Sequence, residues 1–189
     1  MTILIKKITR RWSAVGTIDK SDEDVYEYGL ELLIYTIINI AVILGSSILV
    51  GKLLDSLFLL VVILPLQSFG GGYHAKTHLR CFLIMYIGWW AVIFILPLIT
   101  PISSIIIACT AVFIVFWIAP VAHENVRISV KQKNKMRLLV RITAVLSAII
   151  TACFVLSMSE CIGIAMSTGL GIASLSMLIA HGKNILNGM

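Results

Sequence analysis

Cys81 is preceded closely by His74 and His78, and these in turn by three consecutive glycines, Gly70, Gly71 and Gly72. A cysteine attacks carbonyl carbon as its thiolate, and a histidine within hydrogen-bond reach completes a nucleophile and base pair. Cys81 is expected at the N-terminus of an apolar run, where the helix dipole, the adjoining Arg80 and the nearby Lys76 all favour the ionised thiol. The glycines open backbone angles closed to other residues, let a peptide approach closely, and leave amide N–H groups to face a developing oxyanion. The chemistry implied is acyl transfer at a peptide bond, with Cys81 as nucleophile.

Spacing alone leaves two candidates for the base. On one continuous helix His78 lies three residues before Cys81 and is its neighbour, whereas His74 lies seven before it, about 10 Å along the axis. His74 reaches Cys81 only if the chain bends between them. On a continuous helix His74, His78 and Cys81 would share one face and could hold zinc. The acid of an HExxH pattern is missing, however, with Ala75 in its place, and no metal or other cofactor is expected. The bland alternative is an interfacial loop with incidental histidine and cysteine.

The elements that must position these residues are set by a membrane. Of 189 residues 59% are hydrophobic and 13% charged, with a mean hydropathy of +1.03, against about 45 to 50% apolar and about 25% charged in soluble domains. Apolar runs cover 22–50, 53–69, 81–98, 102–122, 138–157 and 161–180, each near the length that crosses a bilayer. The expected fold is all-α: a single polytopic domain over 1–189, with a six-helix bundle over 22–180. The second run is the weakest, because Asp55 and Pro65 leave a short uninterrupted core that could be re-entrant. Residues 1–16 form an amphipathic interfacial helix with Leu4, Ile8, Trp12 and Val15 along one stripe and basic residues on its flanks. Ser21 is the expected N-cap of the first span, with Asp22, Glu23 and Asp24 in its first turn. No cleavable signal peptide is visible.

Charge decides the topology. Cytoplasmic loops concentrate Lys and Arg, and with six spans and the N-terminus inside, only Lys52 among the 15 Lys and Arg falls outside. If the second run failed to cross, only Lys6, Lys7, Arg10, Arg11 and Lys20 would stay inside. Both termini and the His/Cys segment are therefore expected on the cytoplasmic side of a plasma membrane. The net charge of +6 becomes a basic inner face suited to anionic lipid and acidic peptide segments. Nucleic acid is not an expected partner, since no recognition motif accompanies the dispersed basic residues. Cys109, Cys153 and Cys161 form no CxxC pair and read as small buried hydrophobes.

The Gly-Gly-Gly-Tyr-His-Ala-Lys-Thr-His-Leu-Arg-Cys segment at 70–81, the Tyr-Gly-Leu-Glu stretch at 28–31, Ala119-Pro120-Val121 ahead of a basic loop, the six runs and the length together resemble the accessory gene regulator B family. These are bacterial membrane endopeptidases that process quorum-sensing peptide precursors. The resemblance covers nearly the whole chain. It places the catalytic histidine on His74 and the catalytic cysteine on Cys81, with Gly72 matching the family glycine two positions before the histidine. It thereby implies that 74–81 is not a straight helix. Where a basic residue is expected seven positions before the histidine, this chain has Gln67, which still offers a hydrogen bond to substrate.

The resemblance implies a precursor peptide with an amphipathic N-terminal part and an acidic C-terminal tail, cleaved through an acyl-enzyme thioester to give a thiolactone or lactone ring, and a homodimeric enzyme. Gly169 and Gly171 in the last span are the only visible helix-packing signal for such a dimer. Glu31 could orient His74 or pair with Arg80, or its carboxylate could reach the inner headgroups. A small peptide transporter is the competing class, but few intramembrane charges line a polar path for it.

Overall fold

The computed structural model describes residues 2–73, 75, 77–121, 130–157 and 159–186. In hydrocarbon every backbone amide must be satisfied within its own segment, and the described chain is correspondingly all-α. It comprises α1 (Thr2–Ala14), α2 (Glu23–Leu49), α3 (Leu53–Gly70), α4 (His78–Ile95), α5 (Pro101–Ile118), α6 (Val130–Leu156) and α7 (Glu160–Leu186). Six of these, α2 to α7, are long and apolar enough to cross a membrane.

Local chemistry explains the helix ends. α5 begins at a reciprocal capping box, Thr100 Oγ1 accepting from Ser103 N–H and Ser103 Oγ from Thr100 N–H, with Pro101 pre-set in the first helical position. α2 starts differently from expectation. Ser21 lies in a 3-10 turn (Lys20–Asp22) and the N-cap is Asp22 in helical geometry with no side-chain cap. Glu23 and Asp24 do occupy the first turn. α3 runs unbroken through Pro65 for 18 residues, about 27 Å, close to the hydrocarbon thickness. A Lys52–Asp55 ion pair of 3.0 Å accounts for the acid at its start. The second run is therefore a full-length helix.

α7 is the centre of the bundle and packs closely against α3, α5 and α6. Without a hydrophobic drive between helices in lipid, close approach depends on small side chains, and α7 buries Gly163, Ala165, Ser167, Gly169, Ala173 and Ser174. A Cβ on Gly169 would come 3.0 Å from Leu59 O of α3, and one on Gly171 would come 2.9 Å from Ile107 of α5. These two glycines therefore join helices of the same chain, which removes them as the signal for a dimer seam.

α2 and α4 lie against this core more loosely, sharing a second apolar cluster that includes Ile43, Leu60, Ile63, Trp89 and Val92. α1 packs on α2 through buried Ile5 and Thr9 and a Lys6–Glu27 ion pair of 3.6 Å. Leu4 and Val15, on the stripe read from the sequence, stay exposed, so that stripe is not the face that packs on α2. Cys109, Cys153 and Cys161 are also exposed on the outer helix surfaces. Their reading as buried residues fails because the outside of a membrane bundle is as apolar as its inside.

Candidate functional site

The ends of several helices meet where the glycine run lies. Val121 N–H, just after α5, donates to Gly70 O at 2.9 Å, and Gly71 N–H closes α3 on Gln67 O at 3.0 Å. Gly71 takes φ 72° and ψ −175°, a combination open essentially to glycine alone, and a Cβ there would stand 2.7 Å from Val121 O. A Cβ on Gly70 would collide with Met177, and one on Gly72 would come 2.8 Å from Ser176 Oγ, both on α7. Tyr73 N–H donates to Ser176 Oγ at 3.0 Å. The run is thus a packing seam against α5 and α7. The amides of Gly71 and Tyr73 already have partners within the protein.

After the seam the chain stays non-helical at 71–73, 75 and 77. Thr77 is extended (φ −130°, ψ 145°) and caps α4, its Oγ1 accepting from Arg80 N–H at 3.3 Å. His78 is the first residue of α4 and Cys81 lies one turn in, its amide bonded to Thr77 O at 3.0 Å. Residues 74 to 81 are therefore not one helix, and the shared helical face required for zinc does not form. His74, Lys76 and residues 122–129, which include Arg127, lie outside the described residues, as does the side chain of His78.

α4 is fixed midway by two polar contacts: Trp89 Nε1–H donates to Ser56 Oγ of α3 at 2.8 Å, and Tyr86 and Ser46 of α2 share a hydrogen bond of 3.1 Å. Between α2, α3, α4 and α7 a cavity of about 320 Å³ remains. Cys81 lines it, half-buried, together with Gln67, Tyr73, Ala75 and Ser176. Further wall is apolar, from residues such as Ile43, Leu60, Ile63 and Val92, and the carboxamide of Asn39 interrupts it.

Of the residues singled out from the sequence, Cys81 and Gln67 share this cavity. Gly70, Gly71 and Gly72 hold the loop that leads to it. Arg80 is exposed beside Cys81, and Glu31 is half-buried on α2, one residue before the cavity-lining Leu32. Tyr28 stood within the 28–31 stretch without a role, and two further residues enter that the sequence did not single out. Tyr28, near the start of α2, is close enough to Cys81 to interact electrostatically; its signal was the Tyr-Gly-Leu-Glu stretch. Ser176 and Asn39 had none, being lone polar residues inside apolar runs.

Fold and site together define a six-span membrane protein with a cysteine thiol facing a cavity among its helices. A family model described as Accessory gene regulator B matches residues 2–179, and the chain belongs to that family. Membership supports a role in processing autoinducing peptides. No curated protein and no solved structure matches the chain significantly.

Proposed function

We propose that this protein is a membrane cysteine endopeptidase that removes the C-terminal tail of a quorum-sensing precursor peptide and closes the remaining part into a thiolactone or lactone ring. The observation that carries this reading is the placement of Cys81 one turn into α4, on the wall of a cavity large enough for part of a peptide, in a chain of this family.

His74 takes the proton of Cys81, and the sulfur attacks the scissile carbonyl carbon. The carbon–nitrogen bond breaks, the proton passes to the leaving nitrogen, and the peptide is left as a thioester on Cys81. A thiol or hydroxyl of the peptide itself then attacks that carbonyl and Cys81 departs with the proton, giving the ring. Exchange of one thioester for another is nearly isoenergetic, so a thiolactone closes without an energy source.

The active site and both termini face the cytoplasm in this reading, because Lys52 is the one Lys or Arg assigned to the opposite side. The basic inner face attracts an acidic tail and anionic lipid, and the enzyme works as a homodimer. Cys81→Ala and Cys81→Ser should lower cleavage of co-expressed precursor by about a thousandfold or more, with membrane insertion unchanged. Mass spectrometry of the wild-type Cys81 peptide after incubation with precursor should show an acyl adduct. Normal processing by the Ala variant would sink the peptidase reading, and vesicle transport of intact peptide would replace it.

A further inference from the structure

Where the chain leaves α3 it is tied down at Gly70, Gly71 and Tyr73. Gly70 O accepts from Val121 N–H at 2.9 Å, Gly71 N–H donates to Gln67 O at 3.0 Å, and Tyr73 N–H donates to Ser176 Oγ at 3.0 Å. The first two ties join backbone to backbone. The third depends on one side chain, carried by α7. Hydroxyls inside a helix commonly turn back to a carbonyl of the preceding turn, and Ser167, Thr168 and Ser174 of α7 do so, donating to Ile164 O, Ile164 O and Gly171 O. Ser176 accepts from the amide of another segment. Gly72 leaves the room for this, since a Cβ there would come 2.8 Å from Ser176 Oγ. Tyr73 and Ala75 stand on either side of His74 in the sequence, and both line the cavity that Cys81 lines.

We propose that Ser176 is a positioning residue for the reaction: by holding the Tyr73 amide it fixes the backbone from which His74 follows, and so sets the histidine's approach to the Cys81 thiol. This deepens the peptidase reading and rests on it for the role of His74. Ser176 takes no part in bond making. Its loss removes the partner of Tyr73 N–H, while the backbone ties at Gly70 and Gly71 and the Thr77 cap of α4 remain.

Alkylation of Cys81 tests this without requiring turnover. The thiolate displaces iodide from iodoacetamide, and modification at Cys81 is quantified by mass spectrometry in lipid nanodiscs from about pH 6 to about pH 9.5. An imidazolium beside the sulfur favours the thiolate and lowers the pH at which reaction sets in. Ser176→Ala should therefore slow alkylation about tenfold at about pH 6 and leave it within about twofold at about pH 9.5, where the thiol ionises unaided. His74→Ala should give the same profile, and adding Ser176→Ala to it should change nothing further, because Ser176 acts through the histidine. The other titratable groups around the thiol among the described residues, Tyr28, Tyr35, Tyr73 and Arg80, are the same in all these proteins.

Gly72→Ala reaches the same contact from the other side. Its methyl presses on Ser176 Oγ with the hydroxyl still present, so it should slow alkylation at about pH 6 to a similar extent, and should add little to Ser176→Ala, where the atom it strikes is gone. Cleavage of precursor by Ser176→Ala should fall about tenfold in kcat with KM within about twofold. An unchanged pH profile in Ser176→Ala, or a further shift when it is added to His74→Ala, overturns the proposal. Wild-type protein that shows the alkylation pattern yet leaves precursor uncut would instead overturn only the peptidase reading.

Discussion

At residue 71 the backbone turns out of α3 with φ 72° and ψ −175° while the carbonyl of Val121 presses against it. Gly71→Ala should therefore cost about 1 to 3 kcal/mol, measured as a lower thermal midpoint in detergent, and should reduce precursor cleavage because the loop toward Cys81 starts here. Gly71 was legible in the sequence as part of a glycine run, though for a different role. The reading from composition was a set of amides open to an oxyanion, and the structure engages the amides of Gly71 and Tyr73 with Gln67 and Ser176. Cys81 was legible because a cysteine beside Arg80 at the head of an apolar run is chemically conspicuous. Asn39 and Ser176 were not, since one amide or hydroxyl in a span carries no periodic signal until its neighbours across the bundle are known.

Helix α7 shows how one element organises the others. Its small residues let the α3 backbone and the Ile107 side chain of α5 approach closely, so Gly169→Val should separate α7 from Leu59 and lower the yield of folded protein in mild detergent severalfold. Gly45→Ala in α2 is the matched control: nothing lies within 4 Å of the added methyl, and better helix propensity should leave stability unchanged or raise it by about 0.5 to 1 kcal/mol. Most span limits were legible from hydropathy to within a few residues, α3 included, but α6 starts at Val130, eight residues before its apolar run, and α7 continues six residues past its run to Leu186. The packing order of the spans was not legible. Cys109, Cys153 and Cys161 face outward, and apolar residues on both sides of every helix hide from the sequence which side meets protein.

Across the whole molecule the packing is uneven, tight where α3, α5 and α6 surround α7 and looser where α2 and α4 border the cavity. A chain ending at Leu156 keeps Cys81 and the whole His/Cys segment but lacks Ser176 and the α7 wall, and it should show no cleavage above background in cells expressing the precursor. Supplying residues 157–189 as a separate membrane segment should restore part of that activity. The position of α7 also sets an order in time. Ribosomes make the thiol-bearing helix in the first half of the chain, yet the cavity has no back wall until the last span is threaded in. The nascent chain thus carries Cys81 through the synthesis of α5 and α6 before α7 arrives to close the cavity beside it.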